Sequence, residues 1–274
     1  EELTFSQGII PALYQLIEDL VKPYNGKVLT MTPAYSHFLH ACTYNQVQLV
    51  CSPLQKKASG FEIDFDDFDK KASDPDVKML MLCNPHNPTG RLWTEAELQH
   101  IAQTCEKHGL WIVSDEIHCD LLRTGLKHIP MGKIMPDYDR LVTCMSASKT
   151  FNLAGLCFSD IIIRNAEERK RVVAPDKTRS AINPLSLAAH QAAYQEGSQW
   201  LNELKAYLDG NLNFVKEFLE VNIPSASFQM PEATYFAWVD FSKTLPGAGD
   251  LSLFFANNAG VLLEGGNSLF VGNA

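Results

Sequence analysis

The chain has 274 residues, of which 46% are hydrophobic and 20% are charged. This composition excludes a disordered or low-complexity scaffold and supplies enough apolar material for a sizeable core. The formal net charge of -9 argues against a nucleic-acid-binding face, which needs clustered basic residues. No stretch approaches the roughly 20 apolar residues of a membrane-spanning helix, so we expect neither a nucleic-acid partner nor a membrane partner.

Most predicted strands are short apolar runs that alternate with longer amphipathic segments. Such continuous runs are typical of strands that are buried on both faces of a parallel sheet. The alternation of strand and helix predicts a doubly wound α/β domain. The predicted strands are Lys27–Met31, Val47–Cys51, Val77–Cys83, Leu110–Ser114, Arg140–Cys144 and Phe158–Arg164.

Two helices carry clear boundary signals. The first follows Gly8, with Pro11 in its first turn and an apolar stripe beyond it. The second begins at Thr94, where Glu97 three residues on completes a capping-box pattern, and it ends at Gly109.

The C-terminal third has a different pattern. Residues 183–221 predict long helices with breaks near Gly197 and Gly210. We place a domain boundary near residue 205, between a large domain (1–205) and a partial α+β small domain (206–274). In the small domain the pattern predicts two strands, Thr234–Phe241 and Gly260–Leu263, and a helix between them, Leu251–Asn258.

The cysteines indicate a reducing compartment. Their odd number and the absence of a Cys-x-x-Cys pair are typical of free thiols, so we expect a cytoplasmic protein. A zinc site would need Cys and His residues at short spacings, which the sequence lacks, and we expect no metal. The seven are Cys42, Cys51, Cys83, Cys105, Cys119, Cys144 and Cys157.

Polar residues directly follow three of the predicted strands. Asn87 lies in Asn-Pro-His-Asn-Pro-Thr-Gly, Asp115 in Ser-Asp-Glu-Ile-His, and Lys149 in Ser-Ala-Ser-Lys-Thr. In an open α/β sheet, ligands bind at the carboxyl ends of the strands. Each motif alone has a structural explanation, as a turn, a helix cap or a surface lysine. Together they deliver an amide, a carboxylate and an amine to one edge.

This combination matches the requirements of pyridoxal 5'-phosphate. A lysine forms a Schiff base with the cofactor, and a carboxylate keeps the pyridine nitrogen protonated. Backbone N–H groups at a helix N-terminus and small hydroxyl residues bind the phosphate. The sequence therefore predicts pyridoxal 5'-phosphate as the cofactor.

The chain resembles fold-type I pyridoxal-phosphate enzymes of the class I/II aminotransferase superfamily, and most of all the MalY/PatB-like cystathionine β-lyase (C–S lyase) branch. The resemblance implies a PLP-dependent transferase-like fold: a large domain with a mostly parallel sheet and an incomplete small domain. It covers nearly the whole chain. The matching segments are Thr32–Tyr35, Leu82–Gly90, Ser114–His118, Ser146–Leu156, Asn183–Ser186, Ala192–Tyr194 and Thr234–Asp240.

The resemblance also implies roles around the cofactor ring. Lys149 would bind the cofactor covalently and shuttle the α-proton, and Asp115 would pair with the pyridine nitrogen. Asn87 would hydrogen-bond the phenolic oxygen. Tyr35 would stack on the ring and contribute to catalysis, although it could also be a core aromatic. His118 stands where ordinary aminotransferases of the superfamily carry Tyr and where the lyase branch carries His. Alternatively, this histidine only packs near the cofactor.

The phosphate would lie at the N-terminus of the first helix. The resemblance assigns Gly8 and Ile9 to this position, and Ser146 and Ser148 would add their hydroxyls.

The implied activity is cleavage of cystathionine or related S-substituted cysteines to a thiol, pyruvate and ammonia. An aminotransferase is the alternative, since it needs the same lysine, carboxylate and amide. A non-catalytic regulatory or binding relative is a further alternative. The implied partners are a small-molecule amino-acid substrate and a second copy of the chain in a homodimer.

The resemblance also indicates that the sequence is a fragment. The family's substrate-carboxylate arginine lies in an Arg-x-Asn segment beyond a glycine-rich stretch, and this chain stops at Ala274 before such a segment. The family's N-terminal segment, which contributes a tyrosine across the dimer interface, also has no counterpart here.

Overall fold

The computed structural model describes residues 2–57, 60–173, 182–266 and 270–271. A seven-stranded sheet with helices on both faces forms its centre. The helices are α1 (Ile9–Leu20), α2 (Ser36–Tyr44), α3 (Phe65–Ala72), α4 (Glu95–His108), α5 (Met131–Ile134), α6 (Ala147–Thr150), α7 (Ala166–Val173), α8 (Pro184–Glu196), α9 (Ser198–Asn222) and α10 (Leu251–Ala259). The strands are β1 (Leu3–Ser6), β2 (Lys27–Thr32), β3 (Ala34–Tyr35), β4 (Gln48–Pro53), β5 (Gln55–Lys57), β6 (Gly60–Glu62), β7 (Val77–Cys83), β8 (Trp111–Asp115), β9 (Leu141–Met145), β10 (Ser159–Ile163), β11 (Ser227–Phe228), β12 (Val239–Asp240) and β13 (Phe270–Val271).

The large sheet is mostly parallel, as predicted. Its strand order is β1-β10-β9-β8-β7-β2-β4. The five strands from β9 to β4 pair in parallel, whereas β10 pairs antiparallel with both β9 and β1. All six strands predicted for the large domain occur, with ends shifted by at most two residues. The parallel strands bring their carboxyl ends to one edge of the sheet.

The side chains of the central strands point alternately to the two faces of the sheet, and both faces are covered by apolar cores. Val113 packs in one core cluster with Leu16 of α1, while its neighbour Ile112 packs in the other with Ile101 of α4. Successive side chains of a strand point to opposite faces, so a strand covered on both sides needs apolar residues at every position.

The predicted boundaries of α1 and α4 are confirmed. The Thr94 hydroxyl accepts a hydrogen bond from the Glu97 N–H at 3.2 Å, and the Glu97 carboxylate accepts one from the Thr94 N–H at 2.8 Å. Gly109 ends α4 in the left-handed conformation with φ of 64°. The capping box therefore forms as the spacing predicts.

Two helix breaks were predicted within residues 183–221, and one of them occurs. Gly197 separates α8 from α9, but α9 continues through Gly210, so the predicted break there is wrong. A glycine inside a helix costs only about 1 kcal/mol relative to alanine, which the remaining turns of a 25-residue helix offset. The proposed boundary at residue 205 falls within α9 and stays a prediction.

Of the two strands predicted in the C-terminal part, Thr234–Phe241 is confirmed only at β12 and Gly260–Leu263 is wrong. In Thr234–Phe241 only β12 pairs in a sheet, with β11, because Thr234 has φ of 70° and cannot lie in a strand. In Gly260–Leu263, Gly260 caps α10 with φ of 64°, and the next three residues are exposed and not in a strand. The helix predicted between them is confirmed as α10.

The described residues contain no helix long and apolar enough to cross a membrane. All seven cysteines are free, five of them buried. Within the same part of the chain no group of three or more His, Cys, Asp or Glu side chains could hold a metal ion.

Candidate active site

A cavity of about 500 Å³ opens at the carboxyl ends of β7, β8 and β9. The strand-end loops form one side of it, the N-terminus of α1 another, and a segment from the C-terminal part closes it. Of the residues that the sequence singles out, all except Ser146 line this cavity: Gly8, Ile9, Tyr35, Asn87, Asp115, His118, Ser148 and Lys149.

Asp115 is the last residue of β8 and is fixed by the sheet on both sides. In the parallel ladder it lies opposite Cys83 of β7 and Cys144 of β9. Its carboxylate accepts a hydrogen bond from the Ile117 N–H at 3.2 Å. Burial raises the pKa of Asp115 to about 7, and the nearby charge of Lys149 partly opposes that rise. The carboxylate is thus held in a site where a cationic partner would stabilise its charge.

Lys149 lies in α6, a single turn of helix that begins directly after β9. The Ser146 hydroxyl caps this turn, since it accepts a hydrogen bond from the Ser148 N–H at 3.1 Å. It also donates to the Phe158 carbonyl at 2.7 Å. Ser146 is therefore buried beneath the cavity wall, where it fixes the turn that carries Lys149, and only Ser148 and Lys149 reach the cavity.

Two cavity residues keep buried polar atoms without a partner. Among the described residues, nothing hydrogen-bonds Oδ1 of Asn87 or Nδ1 of His118. Burial, and to a smaller extent the charge of Lys149, lowers the pKa of His118 to about 3, so its imidazole is neutral. Because buried polar atoms are almost always hydrogen-bonded in native proteins, these two indicate a missing polar ligand.

The N-terminus of α1 points its backbone at the same cavity. Gly8 precedes the helix with φ of 110°, and no side chain of the described residues caps it. The first N–H groups of a helix lack intrahelical partners and favour an anion. Gly8 and Ile9 line the cavity here, and Ser148 lines it as well.

Tyr235, Phe236 and Glu264 complete the wall of the cavity and were not among the site residues predicted from the sequence. The two aromatic rings flank the His118 imidazole at centroid distances of 5.8 and 6.1 Å. Their segment was predicted to be a strand. Pro231, three residues before Thr234, carried a signal of its own, because proline fits a turn or loop better than a central strand.

Backbone contacts hold this aromatic segment in place. The Thr234 N–H donates to the Leu121 carbonyl at 2.8 Å, and the Thr234 carbonyl accepts from the Arg123 guanidinium at 2.7 Å. Arg123 is buried and pairs with Asp209 of α9 at 3.0 Å. The positive φ of Thr234 then turns Tyr235 toward the cavity.

The fold and the cavity together define an α/β protein that binds a small ligand at the carboxyl edge of its sheet. The family profile described as "Aminotransferase class I and II" matches residues 1–270. The chain belongs to this family.

Among curated proteins, the chain is 37% identical to cystathionine beta-lyase PatB of Bacillus subtilis, over 97% of this chain and 69% of that protein. It is 34% identical to Protein MalY of Escherichia coli, over 86% of this chain and 62% of that protein. Among solved structures, the PLP-bound C-S lyase from Staphylococcus hominis superposes with a TM-score of 0.94 at 45% identity. That comparison covers 100% of this chain and 67% of the other, and it confirms the expected PLP-dependent transferase-like fold.

Proposed function

We propose that the whole protein is a pyridoxal-phosphate-dependent C–S β-lyase acting on cystathionine or related S-substituted cysteines. The observation that carries the proposal is the meeting of Lys149 and Asp115 in one cavity with the N-terminus of α1. The similarity to PatB and to the Staphylococcus hominis C-S lyase supports the choice of reaction. Because the chain spans about two thirds of these relatives, the activity is proposed for the whole protein.

The residues present fit the cofactor. The Asp115 carboxylate would pair with the pyridine nitrogen. Burial raises the pKa of this carboxyl group, and a cationic ring nitrogen would stabilise its ionised form. Asn87 lines the cavity, and its side-chain amide N–H would donate a hydrogen bond to the ring's phenolic oxygen. The uncapped N-terminus of α1, with the Ser148 hydroxyl, would bind the phosphate. Tyr35, half-buried in the cavity wall, would pack against the ring.

The cofactor, when bound, supplies an electron sink that stabilises negative charge at the substrate α-carbon. Lys149 would take the α-proton on its Nζ, and the short turn of α6 limits where that atom can be. The neutral imidazole of His118 would offer a hydrogen bond without adding charge. Tyr235 and Phe236 would exclude water from the side of the cavity next to His118.

The aminotransferase alternative uses the same residues and differs in where the proton goes afterwards. The test uses the full-length protein and L-cystathionine without any keto acid. We expect a yellow protein that releases thiol and pyruvate in equal amounts. A strict requirement for 2-oxoglutarate would replace the lyase proposal with the aminotransferase.

Lysine variants separate catalysis from binding alone. Lys149→Ala should lose turnover and the visible absorbance of the covalently bound cofactor, while the exposed Lys133→Ala should keep both. Colourless wild-type protein that cannot be reconstituted with pyridoxal phosphate would favour a non-catalytic binding relative. Equal spectra for the two variants would show that Lys149 does not hold the cofactor.

The homodimer and the cytoplasmic location belong to this proposal as well. The free cysteines support a reducing compartment. The dimer rests on the family resemblance, and light scattering of the full-length protein measures it directly.

A further inference from the structure

Glu264 is a charged residue of the cavity wall to which the proposed chemistry gives no role. Among the described residues that line the cavity, the charged side chains are Asp115, Glu264 and Lys149. Asp115 and Lys149 are committed to the cofactor. Asp115 is 7% exposed, whereas Glu264 is exposed and lies where the cavity meets solvent. The outer part of the cavity therefore carries negative charge.

Glu264 lies near the phenol group of Tyr35 and lines the same cavity as Tyr235. The pKa of Tyr35 is raised chiefly by burial and further by Asp115, Tyr235 and Glu264. The side chains of Tyr235 and Glu264 thus each lie within electrostatic range of the Tyr35 phenol group. No lysine, arginine or histidine of the described residues forms an ion pair with Glu264. Its charge is available to something that enters the cavity.

Tyr235, which lines the same cavity as Glu264, is held in a fixed position. Its backbone follows Thr234, which is tied to Leu121 and Arg123, and its ring lies 4.8 Å from that of Phe236 between centroids. Aromatic faces attract cations, and carboxylate and phenol oxygens accept hydrogen bonds from ammonium groups. An acidic side chain that shares a cavity with oriented aromatic rings is a suitable environment for a primary ammonium group.

We propose that Glu264, with Tyr235, recognises a positively charged group on the sulfur substituent of the amino-acid substrate. The inference rests on the proposed lyase function and narrows its substrate class. The preferred substrates are S-substituted cysteines whose leaving thiol carries an ammonium group. The same negative charge disfavours a molecule with a second carboxylate and no ammonium, such as a dicarboxylic keto acid.

Two nearly isosteric substrates test the proposal on the full-length protein. S-(2-aminoethyl)-L-cysteine carries an ammonium where S-propyl-L-cysteine carries a methyl group. We expect a higher kcat/KM for the aminoethyl substrate, and we expect the difference to come from a lower KM. Glu264→Gln should lower the ratio of the two values about fivefold, as expected for an exposed charge pair. Glu264→Asp should retain most of the preference, and added salt should reduce it.

The exposed Glu217→Gln on α9 is the matched control, and its ratio should equal that of the wild type. Glu264→Lys should reverse the preference toward S-(2-carboxyethyl)-L-cysteine. An unchanged ratio in Glu264→Gln, or equal losses on both substrates, would overturn the specificity role while leaving the lyase proposal intact. Failure of the wild type to release thiol from either substrate would instead overturn the lyase proposal.

Discussion

The cavity has two walls that are built in different ways. In the strand-end wall, Asn87, Asp115 and His118 are no more than 8% exposed, and Asp115 is part of the hydrogen-bond ladder of the sheet. The C-terminal wall, with Tyr235 and Glu264, is partly exposed and is held by a few contacts between loops. Groups that need fixed charge and geometry thus lie on the rigid element, and groups suited to choosing among substrates lie on the adjustable one.

The largest expected effect concerns the strand-end wall. Asp115→Asn keeps the acceptor for the Ile117 N–H but removes the charge that we propose pairs with the cofactor nitrogen. Breaking a buried ion pair costs about 3 to 5 kcal/mol, so we expect kcat/KM for cystathionine to fall roughly 200- to 5000-fold. Steady-state kinetics with saturating cofactor measure this fall in kcat/KM. Activity within a factor of about three of the wild type would show that Asp115 does not pair with the ring.

The same residue affects the stability of the cofactor-free protein. Burial raises the pKa of Asp115 to about 7 from 3.8, so the folded state holds a proton that the unfolded state has lost. Stability is therefore lost as the pH rises from about 4 through 7, with a full difference on the order of 4 kcal/mol. Asp115→Asn removes this loss and should be more stable than the wild type at pH 8 but similar at pH 4.

Urea unfolding at several pH values measures this difference, with the exposed Asp139→Asn as control. Parallel stability curves for wild type and Asp115→Asn would contradict the raised pKa. With cofactor bound, the pH dependence should shrink, because a cationic ring nitrogen stabilises the ionised carboxylate.

The strand-end wall was predictable because its signals are local. The apolar run Val77–Cys83 is buried on both faces, Asp115 is the last residue of its strand, and Lys149 follows β9 within a few residues. A parallel sheet then places these residues together without further information. Ser146 could not be separated from Ser148 in this way, because only the bond to the Phe158 carbonyl turns the Ser146 hydroxyl away from the cavity.

The C-terminal wall was not predictable, because it depends on contacts that are distant in sequence. The pattern of Thr234–Phe241 fits a strand, but Thr234 is bound by Leu121 and Arg123, more than a hundred residues earlier. Val261 and its neighbours have strand-like composition, yet they follow the helix-ending turn at Gly260 and are exposed. Composition without a pairing partner does not make a strand.

Asp209→Asn tests whether the C-terminal wall depends on its few contacts. Asp209 pairs with the buried Arg123 and accepts a hydrogen bond from the Thr124 hydroxyl at 2.7 Å. Loss of a charged hydrogen-bond partner should lower the free energy of unfolding by about 1 to 3 kcal/mol. We expect KM to rise more than kcat falls, with the cofactor spectrum unchanged, because Tyr235 is displaced while Asp115 is not.

The exposed Asp137→Asn is the control, and it should leave both stability and KM as in the wild type. If Asp209→Asn changed the cofactor spectrum as strongly as Asp115→Asn, the two walls would not be independent. The distinction between a rigid and an adjustable wall would then fail.

The smallest effect is expected outside both walls, at the start of α4. Thr94→Ala removes the hydroxyl that accepts the hydrogen bond from the Glu97 N–H in the capping box. This loss should lower the free energy of unfolding by about 1 kcal/mol. Gln99→Ala, exposed on the same helix, should change it by a few tenths at most. Because no residue of α4 lines the cavity, kcat and KM should stay at wild-type values in both variants. A changed KM in Thr94→Ala would mean that packing on one face of the sheet moves the strand ends, and the strand-end wall would be less rigid than its burial implies.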